Sequence, residues 1–268
     1  MQTGRNALVC LFACIAVGAL VAVPDPADAA ESFADELGFG VFLAMLALAL
    51  AARSPLGLPA RLGLGPSRFS WGVLALVVLG TLGLSFALDG VYRIFEPQES
   101  GIVSQFEAEL AGIRGRALAF ALLSFALAPG VAEELLCRGL LQRGLEVRYG
   151  AATAILLASL FFGALHLDPI YSFFAAVLGL YLGGIAYLAG SVRPSIACHV
   201  VNNAAAVIGA AVVPDFGPAT TPWIALAAVA SLGVLGGVWH RLGAPCDAGD
   251  SGRQGGAELQ RKAGLDDS

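Results

Sequence analysis

Apolar residues fall into runs close to the roughly 17 to 25 residues that a helix needs to cross a bilayer. The first covers Ala7 to Val23, and others follow at about 38–52, 71–88, 117–137, 151–166, 171–190, 195–213 and 222–239. Unbroken apolarity on every helical face marks a helix surrounded by lipid or protein rather than one half in water. The pattern predicts an all-α, polytopic transmembrane helix bundle of about eight spans, with no internal repeat or heptad. It drops to seven if the first is a signal: Arg5 precedes that run, and Ala27-Asp28-Ala29 after it has the small residues of a cleavage site.

The connections set the expected orientation. Arg5, then Arg53, Arg61 and Arg68, then Arg138, Arg143 and Arg148, then Arg193, then Arg241, Arg253, Arg261 and Lys262 occupy alternate ones. Asp25, Asp28, Glu31, Asp35 and Glu36, then Asp168, then Asp215 occupy the others. The excess of cations on one side places both termini in the cytoplasm if the first span is retained. The mixed connection 89–116, with Arg93, Arg114 and Arg116 against Glu96, Glu99, Glu107 and Glu109, reads as an interfacial helix. Four regions follow: 1–30 signal-like or first span, 31–116 further spans with an extracytoplasmic loop, 117–242 the core, and 243–268 a disordered tail.

Composition agrees. Apolar residues make up 57% of the 268 and charged residues 13%, about half the usual share for a soluble domain. A net charge of −5 without a basic stripe excludes nucleic acid as a partner. The five cysteines, Cys10, Cys14, Cys137, Cys198 and Cys246, are odd in number and lack CxxC spacing, so neither a structural disulfide nor a cysteine zinc site is expected. A multi-pass protein of a bacterial cytoplasmic membrane is the expected setting, with the lipid bilayer as its surroundings.

Ionisable groups at span centres cost roughly 2.5 to 3.5 kcal/mol on insertion scales and mark sites or pathways. Here they gather in three segments: Glu133, Glu134 and Arg138; His166; and His199 with Asn202 and Asn203. Residues four apart share a helix face, which pairs Glu134 with Arg138, Phe162 with His166, and His199 with Asn203. Glu133 lies 17 residues before Gly150 and His166 lies 16 after it. Two antiparallel helices would therefore carry both about 25 Å from that turn. His199 starts nearer the cytoplasmic side, so a common depth requires Arg143 and Arg148 to project beyond the bilayer.

Each feature has a plainer explanation. Glu134 with Arg138 makes a neutral structural pair, a lone histidine in an apolar helix bonds a neighbouring carbonyl, and Asn202 and Asn203 glue helices together. His240 beside Trp239 reads as an interfacial residue. A second carboxylate with two histidines and an amide on adjacent spans is what favours chemistry. With Arg138 compensating Glu134, Glu133 is left free to take up and release a proton, as a general base must.

These segments, Glu133-Glu134-Leu135-Leu136-Cys137-Arg138, Phe162-Gly163-Ala164-Leu165-His166 and His199-Val200-Val201-Asn202-Asn203, resemble the CPBP intramembrane proteases over about residues 117–213. That family includes CAAX prenyl endopeptidases and bacterial relatives linked to bacteriocin processing and immunity. Cys137 departs from its pattern, standing where an aromatic residue usually precedes the arginine. The resemblance implies a glutamic-type endopeptidase in which Glu133 and His166 activate water, His199 and Asn203 stabilise the oxyanion, and Glu134 and Arg138 hold Glu133. The substrate it implies is a membrane-embedded or lipidated protein or peptide, and no cofactor.

Zinc is an alternative, since Glu133, His166 and His199 have the makeup of a catalytic site with an open position. Against it, no helix carries His-Glu-x-x-His, and asparagine is a poor ligand. A non-catalytic immunity or binding protein, or a transporter, could use the same scaffold; a transporter would show paired interrupted helices, and only the interruption at Pro129-Gly130 is visible.

Overall fold

Residues 29–95, 101–212 and 221–243 are described by the structure, a computed structural model. The run at 7–23 and the tail from 244 lie outside the described residues. The chain forms a transmembrane helix bundle, and no strand occurs among the described residues. Its helices are α1 (Ala29–Ala51), α2 (Leu58–Arg61), α3 (Trp71–Phe95), α4 (Ile102–Leu110), α5 (Gly115–Ala121), α6 (Ala128–Glu134), α7 (Arg143–Ala164), α8 (Pro169–Ala189), α9 (Arg193–Val212) and α10 (Thr221–Leu242). Two π-helical segments, π1 (Leu122–Leu127) and π2 (Leu135–Gln142), flank α6.

Six stretches among the described residues are long and apolar enough to cross a membrane: Ser32–Ala51, Trp71–Phe95, Gly115–Ala164, Pro169–Ala189, Arg193–Val212 and Pro222–Leu242. The 50-residue stretch holds two predicted spans, divided at Gly150. Gly150 has φ 76°, a conformation that side chains disfavour, and the chain reverses there. Val147 to Gly150 are exposed, so the helix ends carrying Arg143 and Arg148 project from the bundle.

Some predicted connection charges belong to helices instead. Asp35 and Glu36 lie in α1, which begins well before its apolar run, and Asp89 and Arg93 lie in α3. In α3 the charges find partners: Arg93 pairs with Asp89 at 2.8 Å and with Glu107 of α4 at 2.5 Å. Arg138 is only 1% exposed, so it is no loop charge, and the cationic bias of that connection rests on Arg143 and Arg148.

The core forms where small residues let helices approach closely. Leu43 and Ala47 of α1 pack with Ala132, Leu136 and Phe162. Phe33, earlier on α1, meets Phe120 and Phe125, so α1 runs parallel to α5 through π2. The wall of the motif-bearing core is thus supplied by a helix without motif residues. α9 runs antiparallel to the same stretch, with Val200 against Gly130 and Asn203 against Phe125.

Carbonyls in both π segments accept hydrogen bonds from side chains elsewhere. Asn203 Nδ2 donates to Phe125 O at 3.1 Å, and Arg61 Nη2 donates to Leu140 O at 3.3 Å. Wide π turns recur at functional sites because they redirect side chains within a helix. Burial and the Arg143 charge lower the Arg61 pKa from its ordinary value.

α7 and α8 form a tight hairpin at Gly163. A Cβ there would collide with Ser172 O and come within 2.9 Å of Ala176 Cβ. Gly163→Ala is therefore expected to cost about 1–3 kcal/mol through overpacking. Because His166 is less than one turn on, activity should fall with stability, as thermal unfolding and turnover measured together would show.

Candidate active site

The carboxylate pair sits at the C-terminal end of α6, and both side chains are buried. One helical turn on, Arg138 Nη1 donates to Glu134 Oε1 at 2.5 Å, the pairing that their spacing predicts. Arg138 also donates from Nη2 to Gly179 O of α8 at 2.9 Å and lies 4.4 Å over the Phe162 ring. Buried charges need this many partners, because desolvating them is costly.

His199 reaches the same carboxylate from α9. Its Nδ1 lies 3.1 Å from Glu134 Oε1, and its Nε2 lies 3.9 Å from Glu133 Oε2. With Glu134 ionised, Nδ1 is the protonated nitrogen and donates to it. Glu134 is thereby held by a guanidinium and an imidazole, whereas Glu133 has no ion-pair contact closer than that 3.9 Å approach among the described residues.

His166 joins the cluster through aromatic contacts. The Phe162 ring lies edge-on to both imidazoles, with centroids 5.2 Å from His166 and 5.4 Å from His199. His166 Nδ1 lies 3.1 Å from Phe162 O, one turn back on its own helix. As Nδ1 donates to that carbonyl, the neutral ring keeps a lone pair on Nε2.

The backbone at this position departs from helix. α7 ends at Ala164, Asp168 N donates to His166 O at 2.8 Å, and Leu167 takes φ 57°. A side-chain-bearing residue in the left-handed region stores strain, and such residues gather at functional sites. Asp168 then caps α8, its Oδ1 accepting from Tyr171 N at 2.6 Å.

Glu133, Glu134, Arg138, His166 and His199 therefore meet in one cluster. Asn203 lies about one turn further along α9, its amide on Phe125 O and its Oδ1 accepting from Asn202 at 3.4 Å. No three His, Cys, Asp or Glu side chains among the described residues converge as a metal site. The Nδ1 atoms of His166 and His199 are engaged by protein, which leaves the Nε2 of each ring facing the cluster. Cys137 and Cys198 are buried thiols.

Two neighbours escape a sequence reading. Glu36 of α1 lies within electrostatic reach of Glu133, and Tyr171 within reach of Glu133, Glu36, Asp89 and Tyr92. Glu36 lies at the polar edge of its apolar run, and tyrosine is common at span ends; neither carries a motif.

A family model for type II CAAX prenyl endopeptidase Rce1-like proteins matches residues 115–205, from the start of α5 to just past Asn203. No curated protein and no solved structure matches the chain. The match and the buried cluster cover the same helices, and over residues 115–205 the chain is similar to the CPBP family of intramembrane proteases, a family of endopeptidases.

Proposed function

We propose that this protein hydrolyses peptide bonds of membrane-embedded or lipidated proteins, with Glu133 as the general base. The observation that carries this reading is the unequal treatment of two adjacent carboxylates. Arg138 and His199 hold Glu134 as an anion, while Glu133 faces the cluster without a cation in hydrogen-bonding contact. A base must keep a lone pair for the reaction, and Glu133 stands clear of the Arg138 guanidinium that neutralises Glu134.

Glu133 takes a proton as the water oxygen bonds to the scissile carbonyl carbon, and the carbonyl π pair moves onto oxygen. His166 Nε2 orients that water through its lone pair. His199, supported on Glu134 through Nδ1, turns its Nε2 edge to the oxyanion, with Asn203 assisting. When the tetrahedral intermediate collapses, the C–N bond breaks and Glu133 returns its proton to the leaving nitrogen. Different roles for the two histidines follow from their Nδ1 partners, the Glu134 carboxylate for His199 and the Phe162 carbonyl for His166. The proposed orientation, with the first span retained, has both termini and the projecting Arg143–Arg148 end in the cytoplasm.

The test uses full-length protein in lipid vesicles with an internally quenched peptide carrying a farnesylated cysteine three residues from its C-terminus. Wild type should release the terminal tripeptide, and exhaustive chelation followed by exchange should leave the rate unchanged. Stoichiometric zinc whose removal stops turnover would overturn the metal-free mechanism.

A further inference from the structure

We infer that the Tyr171 hydroxyl is a further catalytic group, donating a hydrogen bond to the oxyanion. This role rests on the hydrolytic reading above. It begins with a limit on donors: Asn203, assigned to the oxyanion by family resemblance, already commits one of its two Nδ2 hydrogens to Phe125 O and accepts from Asn202. Swinging that amide fully onto substrate would leave a π-helical carbonyl without its side-chain donor.

Tyr171 has no such commitment. Its backbone N–H donates to Asp168, and its hydroxyl has no hydrogen-bond partner among the described residues. The ring lies 5.2 Å from His166, tilted at 55°, and edge-on to Tyr92 at 6.0 Å. His199, Phe162, His166 and Tyr171 thus form a continuous arc of rings, each in contact with the next. Glu133 spans the arc, 3.9 Å from His199 at one end and within electrostatic reach of Tyr171 at the other.

The turn that delivers Tyr171 is itself constrained. Left-handed Leu167 and the Asp168 cap bring the chain back so that a residue five positions after His166 packs on its imidazole. A phenol suits the task because it donates without first being charged, and it would complement the His199 ring from the opposite end. The proton stays on Tyr171 throughout, and the bonds made and broken are those of the hydrolysis.

The experiment compares wild type, Tyr171→Phe, Tyr171→Leu and Glu133→Gln in vesicles with the farnesylated quenched peptide, alongside thermal unfolding. Phenylalanine keeps the ring against His166 and removes only the hydroxyl. An oxyanion donor predicts a fall of about 10²–10³-fold in kcat for Tyr171→Phe, with KM and melting temperature nearly unchanged. Activity of Tyr171→Phe within about 3-fold of wild type, with Tyr171→Leu inactive, would show that only the ring matters and overturn the proposal. A fall matched by lost stability or confined to KM would overturn it too. If wild type cleaves no faster than Glu133→Gln, the hydrolytic reading fails first and takes this one with it, an outcome distinct from failure of Tyr171 alone.

Discussion

Glu133→Gln is expected to slow peptide cleavage by about 10³-fold while the protein stays folded, because the amide keeps the shape of the carboxylate but cannot accept the water's proton. Stability should hold, since Glu133 makes no ion pair closer than 3.9 Å and is only 6% exposed; a neutral isostere removes a buried charge. Glu133→Ala should be equally inactive and leave a small cavity. The comparison separates catalysis from a binding or immunity role, because recognition that needs only shape would tolerate Gln. Turnover and thermal unfolding on the same preparations give both readouts.

Arg138→Met should have the largest effect on stability, about 3–5 kcal/mol, because it strands Glu134 as a fully buried carboxylate with only His199 and Ser195 of α9 beside it. The substitution also removes the donor to Gly179 O and the cation over Phe162, contacts that join π2 to α8 and α7. Adding Glu134→Leu should restore most of the loss, since replacing both members of a buried pair by apolar residues is often neutral. Activity should not return, because His199 then lacks the carboxylate on its Nδ1. Chemical denaturation in detergent–lipid micelles, arranged as a double-mutant cycle, measures the coupling. A cost below about 1 kcal/mol for Arg138→Met would contradict the buried-pair account.

Lipid makes span centres legible, because every residue facing hydrocarbon must be apolar. Span ends are less so: α1 and α3 run on through Glu36 and Arg93, which lie near Glu133 and Glu107 of other helices that no local pattern announces. The π segments leave no trace in the sequence, since Leu122–Leu127 and Leu135–Gln142 differ from α-helix in hydrogen-bond register and not in composition.

The candidate site shows the same division. Glu134 with Arg138 is readable from a four-residue spacing, and a charge inside an apolar run draws attention to itself. His199 on Glu134 joins residues 65 apart, a contact that depends on how α9 packs against α6. Asn203 stands in a recognisable motif, yet its amide bonds a π-helical carbonyl that the sequence cannot reveal. Tyr171 is missed because its placement depends on the left-handed turn at Leu167.

The central claim is that Glu133 drives peptide hydrolysis in the membrane, and comparing membrane-protein C-termini by mass spectrometry in cells making wild type or Glu133→Gln tests it most directly. New C-termini present with wild type and absent with Glu133→Gln, at equal protein levels, are the predicted result. Identical C-termini in the two strains would contradict the account.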